Sequence, residues 1–190
     1  MEQLLLAMTL KHNDDWAVLV KQFDQLFFAS DNTKLVSGTD EPIYLPSDGE
    51  CNYHRVIFAH GFFASALHEI SHWCVAGSER RKLIDYGYWY EPDGRTACQQ
   101  ASFEKVEVKP QALEWILSMA CKRVFSVSVD NLSGELTDNK YFKQAVYQQV
   151  CDYITNGLPS RAERLVANLS SHFQTSNVLQ AELFILEKLK

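Results

Sequence analysis

Hydrophobic positions recur at helical spacing along residues 13 to 29, where Trp16, Leu19, Val20, Phe23 and Phe27 share one face and Asn13 or Asp14 stands where a cap is expected. Gly38, Pro42, Pro46 and Gly49 then break the pattern, so 31 to 54 reads as turns and short strands. Ile43-Tyr44-Leu45 and Arg55-Val56-Ile57-Phe58-Ala59 are the strand candidates. A helix is expected from about Phe62 to Ala76, ended by Gly77. A turn is expected at Pro92-Asp93-Gly94. A second helix is expected over 97 to 108, with Pro110 starting or kinking a third through Leu113, Ile116, Leu117 and Ala120. Val124 to Val129 alternates like a short strand, and helices are expected near 138 to 156, 160 to 173 and 177 to 188. Helices outnumber short, irregularly placed strands, which predicts an α+β fold, mostly helical with a small sheet.

Composition narrows this picture. With 190 residues, 46% hydrophobic and 22% charged, the chain suits one domain spanning 1 to 190 that needs no disulfides to hold a core. A formal net charge of −6 is the wrong sign for a protein that binds nucleic acid directly, since phosphate contacts need Lys and Arg. Arg80-Arg81-Lys82 is a local exception, either a solvated helix face or a patch that meets an acidic protein surface. The five cysteines (Cys51, Cys74, Cys98, Cys121, Cys151) include no C-x-x-C pair, so free thiols in a reducing compartment are expected. The apolar run at Leu4-Leu5-Leu6 is short and follows an acid, unlike a signal peptide, and no stretch approaches the roughly 20 apolar residues of a membrane span. The expected location is the cytoplasm, away from membranes.

The chemistry is concentrated at His68-Glu69-Ile70-Ser71-His72, an H-E-x-x-H. On a helix, positions i and i+4 stack one turn apart, so two imidazoles can grip one metal ion from the same side. From the chain's own His and Glu content, a chance occurrence has a probability of about 1%. The bland reading, two surface histidines around an ordinary glutamate, fits poorly with the apolar neighbours Phe62, Phe63, Ala66, Leu67, Ile70 and Trp73. Two histidines leave an ion under-coordinated. Downstream acids are Glu79, Glu91, Asp93, Glu104, Glu107 and Glu114; Glu104 and Glu107 share a helix face with Gln100 and Phe103, and spacing does not separate them. His54 and His60 are the nearby imidazoles, and His60 reads as a core or cap histidine. Glu69 lies roughly 100° around the helix from either histidine, suited to orienting a ligand.

At these residues the sequence resembles the elongation factor P hydroxylase family. The matching stretches are Asp40-Glu41-Pro42-Ile43-Tyr44-Leu45-Pro46, Phe58-Ala59-His60-Gly61-Phe62 and Ala64 through Cys74. They continue with Asp85 through Tyr90, Pro92-Asp93-Gly94-Arg95, Phe103 through Leu113 and Asp152 through Gly157. The resemblance implies a non-haem iron hydroxylase that takes Fe(II) and O2 and acts on the β-lysylated lysine of translation elongation factor P. It implies a fold similar to a metal-dependent ribonuclease. It carries the two histidine ligands, catalytic as well as metal-holding, onto His68 and His72 and the carboxylate onto Glu107, with Glu104 as the alternative. Both histidines precede the carboxylate and share one helix, unlike double-stranded β-helix oxygenases, so no 2-oxoglutarate requirement is carried over.

An ammonium-bearing substrate arm needs acids and π faces. Asp85, Tyr86, Tyr88, Trp89, Tyr90, Glu91 and Asp93 supply both, as an arm channel or else as a core-packed aromatic hairpin. Two other functions are consistent with the local motif: a zinc-dependent hydrolase (peptidase or nuclease) with Glu69 as base, and a binding module with a structural metal.

Overall fold

The computed structural model describes residues 15–88, 94–129 and 139–189. They are mostly helical with one three-stranded sheet, and the chain divides after Gly87 into two compact units. No helix among these residues is long and apolar enough to cross a membrane.

In the first unit, α1 (Asp15–Asp31) precedes β1 (Thr33–Gly38), β2 (Ile43–Leu45), β3 (His54–Ala59) and α2 (Phe63–Val75). The expected helix and both expected strands form, while the cap positions Asn13 and Asp14 lie outside the described residues. Strand β3 is central, parallel to β1 (Thr33 opposite His54 through Gly38 opposite Ala59) and antiparallel to β2 (Tyr44 opposite Val56). Alternation buries Leu35, Tyr44, Val56 and Phe58. α1 contributes Leu19, Phe23 and Phe27 at spacings of four, and α2 contributes Ala66, Leu67, Ile70, Trp73 and Cys74. Trp73 sits edge-on to Phe23 and Phe27, with centroids 5.0 and 4.8 Å away. The half-buried Asp24 carboxylate of α1 accepts the Leu35 N–H at 3.0 Å. This acid ties α1 to β1 by a contact that hydrophobic periodicity does not reveal.

Two local expectations change. Helix α2 ends at Val75 with Ala76 in extended backbone, and Gly77 adopts no left-handed conformation. The chain turns out of the helix without needing glycine there. His60 is exposed and left-handed (φ 51°), in the turn from β3 to α2, rather than a core histidine.

The second unit is built on α3 (Ala97–Ala120), α4 (Lys140–Asn156) and α5 (Ser160–Phe173). Helix α3 opens with a capping box: Gln99 N–H reaches the Thr96 hydroxyl, and the Gln99 side chain accepts the Thr96 N–H. It then continues through Pro110, so the helix expected over 97 to 108 and the one expected from Pro110 are a single element. A mid-helix proline costs about 3 kcal/mol. Every residue from Pro110 to Ser118 is buried, so packing around the whole circumference outweighs that cost. Phe142, Val146, Val150 and Tyr153 form the buried stripe of α4, and Ala162, Leu165, Val166 and Leu169 that of α5.

Val124 to Val129 is not a strand. Its backbone is bound instead by side chains of the second unit. Gln111 bonds Ser128 at both its carbonyl (2.7 Å) and its N–H (3.1 Å), and Arg95 and Gln100 donate to the Val129 carbonyl. The expected helix over 177 to 188 is two short 3-10 turns, Ala181–Leu183 and Leu186–Lys188, between which Phe184 packs edge-on against Trp115 at 5.2 Å.

None of the five cysteines is in a disulfide. Burial pushes the Cys121 thiol up to about 12, whereas Cys98 is exposed. Iodoacetamide at about pH 8 is expected to alkylate Cys98 while sparing Cys121 in the folded protein, read by peptide mass spectrometry. Equal labelling of the two would contradict the burial of Cys121.

Candidate metal centre

Helix α2 turns its apolar stripe into the core of the first unit and leaves His68 and His72 half-buried beside it. The side chains lie one turn apart, and their Nε2 atoms approach to 3.1 Å. The rings meet at 63° with centroids 4.7 Å apart. Two neutral imidazoles at that distance either share one proton or turn two lone pairs toward a common point. Two nitrogens bound to one ion at about 2.1 Å stand about 3.0 Å apart at a right angle and about 3.4 Å apart at the tetrahedral angle. The observed separation therefore fits a shared ion with little movement of either ring.

Glu69 is buried on the same helix, and Ser71 donates back to the Leu67 carbonyl at 2.7 Å. His54, at the start of β3, accepts the Ser47 N–H at 2.8 Å through Nδ1, so that nitrogen already serves the strand's own loop. Glu79 is exposed and pairs with Lys82 at 2.8 Å, which removes it from the ligand candidates. Glu91 and Asp93 lie outside the described residues.

In the second unit, Glu107 is 1% exposed on α3, and its Oε2 accepts from Gln111 Nε2 at 3.3 Å. Glu104, nearly one turn earlier, is only half-buried and accepts from Gln100 at 3.2 Å. Glu114 is also buried on α3. A fully buried carboxylate is costly unless it is bonded or binds a cation, and Glu107 is the more deeply buried of the two acids expected as ligands.

The segment after α2 has a shape that no sequence pattern announces. Asp85 and Tyr86 both adopt left-handed backbone (φ 48° and 58°), and Gly87 follows at φ 69°. Each non-glycine residue so held costs about 1–2 kcal/mol, so the surroundings must enforce the shape. They do so through four contacts. The Asp85 carboxylate accepts the Tyr44 N–H. Arg80 Nη1 donates to the Tyr86 carbonyl at 2.9 Å. The Tyr44 hydroxyl donates to the Arg81 carbonyl at 2.8 Å. The Tyr44 and Tyr86 rings stack at 4.4 Å and 16°.

Tyr86 is thus core-packed, not a lining residue of an open channel; Trp89, Tyr90, Glu91 and Asp93 lie outside the described residues. The basic cluster has structural partners as well. Arg81 donates to the Ala76 carbonyl, and Lys82 pairs with Glu79.

Burial raises the Asp85 carboxyl, against the lowering effects of the Tyr44 N–H and the nearby His72. Burial, with Glu69, Tyr44 and Asp85 nearby, raises the Tyr86 phenol well above its ordinary value, so it stays protonated. A Cβ on Gly87 would stand 2.7 Å from Leu83 Cδ1, a flexible exposed methyl, so the backbone sets the cost there. Gly87→Ala is expected to lose about 1–2 kcal/mol in urea unfolding, and unchanged stability would contradict the left-handed assignment.

A helix carrying two imidazoles that meet at their Nε2 atoms, beside a small sheet, is an arrangement that could hold a metal ion. Comparison with known proteins makes the assignment narrower. The family model for elongation factor P hydroxylase matches residues 22–184. A protein of Haemophilus influenzae named elongation factor P lysine hydroxylase is 54% identical over 166 residues, covering 87% of this chain and 93% of its own. The chain belongs to the elongation factor P hydroxylase family.

Proposed function

We propose that this chain hydroxylates the β-lysylated lysine side chain of translation elongation factor P, at an Fe(II) centre held by His68, His72 and Glu107, with O2 as co-substrate. Family membership supports the reaction, and the 3.1 Å approach of the two Nε2 atoms is the observation that supports a metal at this place. The near-complete burial of Glu107 supports it over Glu104 as the carboxylate ligand. His68, His72 and Glu107 would hold the Fe(II), which when bound would supply the capacity to activate O2.

The protein's own part is to present neutral imidazoles and one carboxylate in fixed orientation, and to keep bulk water from the ligands by half-burying both rings. Glu69 is buried on the same helix, which suits it to orienting neighbouring groups. The enzyme works in the cytoplasm, where its substrate protein resides, with no direct contact to nucleic acid or membrane; the order of its ligands along the chain carries over no 2-oxoglutarate requirement.

The test is to incubate β-lysylated elongation factor P with the enzyme loaded with Fe(II) or Zn(II), in air and with a two-electron reductant such as ascorbate, which carries the second oxygen atom of O2 to water, and to weigh the modified peptide. A gain of one oxygen with Fe(II) alone is expected. Peptide or RNA cleavage in the Zn(II) arm, without oxygen gain in the Fe(II) arm, would replace this reading with a hydrolase.

A further inference from the structure

We infer that Tyr86 is a positioning residue for His72, a flat plate that fixes the plane of the imidazole and so sets its Nε2 against that of His68. This inference rests on the metal-centre reading above. The Tyr86 ring lies parallel to the His72 ring, at 11° and 6.4 Å between centroids. Rotation about the terminal torsion of a histidine is broad, so the backbone of α2 alone does not define where Nε2 points.

The plate itself is rigid. Tyr44 backs it at 4.4 Å and 16°, and Tyr44 is anchored through its hydroxyl to the Arg81 carbonyl. Arg80 holds the Tyr86 carbonyl, and two successive non-glycine residues accept left-handed backbone to put the ring there. Strain of this kind persists where a side chain must be delivered to a set place.

The contact with His72 is made by the ring. Tyr86 is 2% exposed, and its Oη has no hydrogen-bond partner among the described residues. The ring is therefore the working part, and phenylalanine should serve as well.

The experiment is a Co(II) titration of the full chain, followed by the visible absorption of the bound ion, for wild type, Tyr86→Phe, Tyr86→Leu and Arg80→Ala. Tyr86→Phe is expected to bind within about twofold of wild type with the same spectrum, since the ring that it keeps is the support. Tyr86→Leu is expected to bind about 10–100-fold more weakly, the usual loss when support for a metal-bound histidine is removed, with a shifted spectrum. Arg80→Ala, which keeps the ring but frees the turn, is expected to fall between them and covers the case in which Tyr86→Leu does not fold.

Wild-type affinity in Tyr86→Leu, or in Arg80→Ala should the leucine variant be unfolded, would overturn the inference and leave the metal centre standing. So would a Tyr86→Phe variant as weak as Tyr86→Leu. A wild-type chain that takes up no Co(II) would remove the centre and this role together.

Discussion

His68→Ala is expected to abolish oxygen insertion into the elongation factor P lysine while leaving the protein folded. A remaining imidazole and a carboxylate cannot define a facial site, so metal affinity should fall by more than the roughly 10–100-fold that loss of an outer-shell partner costs. Folding is a separate matter. His68 is only half-buried, and alanine is the better helix former in the middle of α2. The thermal midpoint should therefore move by only a few degrees, since about 1 kcal/mol shifts a domain of this size by roughly 2–4 °C. The three readouts are oxygen gain by mass spectrometry, metal uptake by calorimetry and the thermal melt. Oxygen gain that survives in His68→Ala would remove the imidazole pair from the chemistry. Lost activity accompanied by a collapsed melt would show that His68 serves the fold.

Much of the first unit is legible in the sequence because its elements obey local rules. The four-residue spacing of Leu19, Phe23 and Phe27 marks α1, and the i, i+4 histidines mark both a helix and its chemistry. Helix α3 is not legible at Pro110, because propensity is local whereas the packing that keeps the helix intact comes from residues distant in sequence. The 124–129 segment misleads for a related reason. Its alternation is real, with Phe125 buried between exposed neighbours, but its hydrogen bonds go to Gln111, Gln100 and Arg95 and not to a strand.

The site divides in the same way. Spacing alone marks His68 and His72, and the family resemblance prefers Glu107 to Glu104. The left-handed pair at Asp85 and Tyr86 carries no pattern signal beyond the glycine that follows it. Tyr86 groups with its aromatic neighbours in the sequence because composition does not distinguish a ring stacked in a core from one facing substrate.

Trp73→Ala is expected to destabilise the protein by about 3–5 kcal/mol. Trp73 lies one residue beyond His72, roughly 100° around the same helical turn, and is fully buried. It joins α2 to α1 through edge contacts with Phe23 and Phe27, and such aromatic pairs add about 0.5–1.5 kcal/mol beyond area burial. Truncation removes the whole indole and leaves a cavity that two rigid phenyl rings cannot easily fill. Because the histidine pair depends on the seating of α2, metal binding should weaken as well, though only as a consequence of the loosened helix. Trp73→Phe should recover most of both properties, since it restores an apolar ring between the same partners. Urea unfolding and Co(II) titration on the two variants separate these effects. A Trp73→Ala protein that unfolds at the wild-type midpoint would show that α2 is held in place by something other than this aromatic cluster.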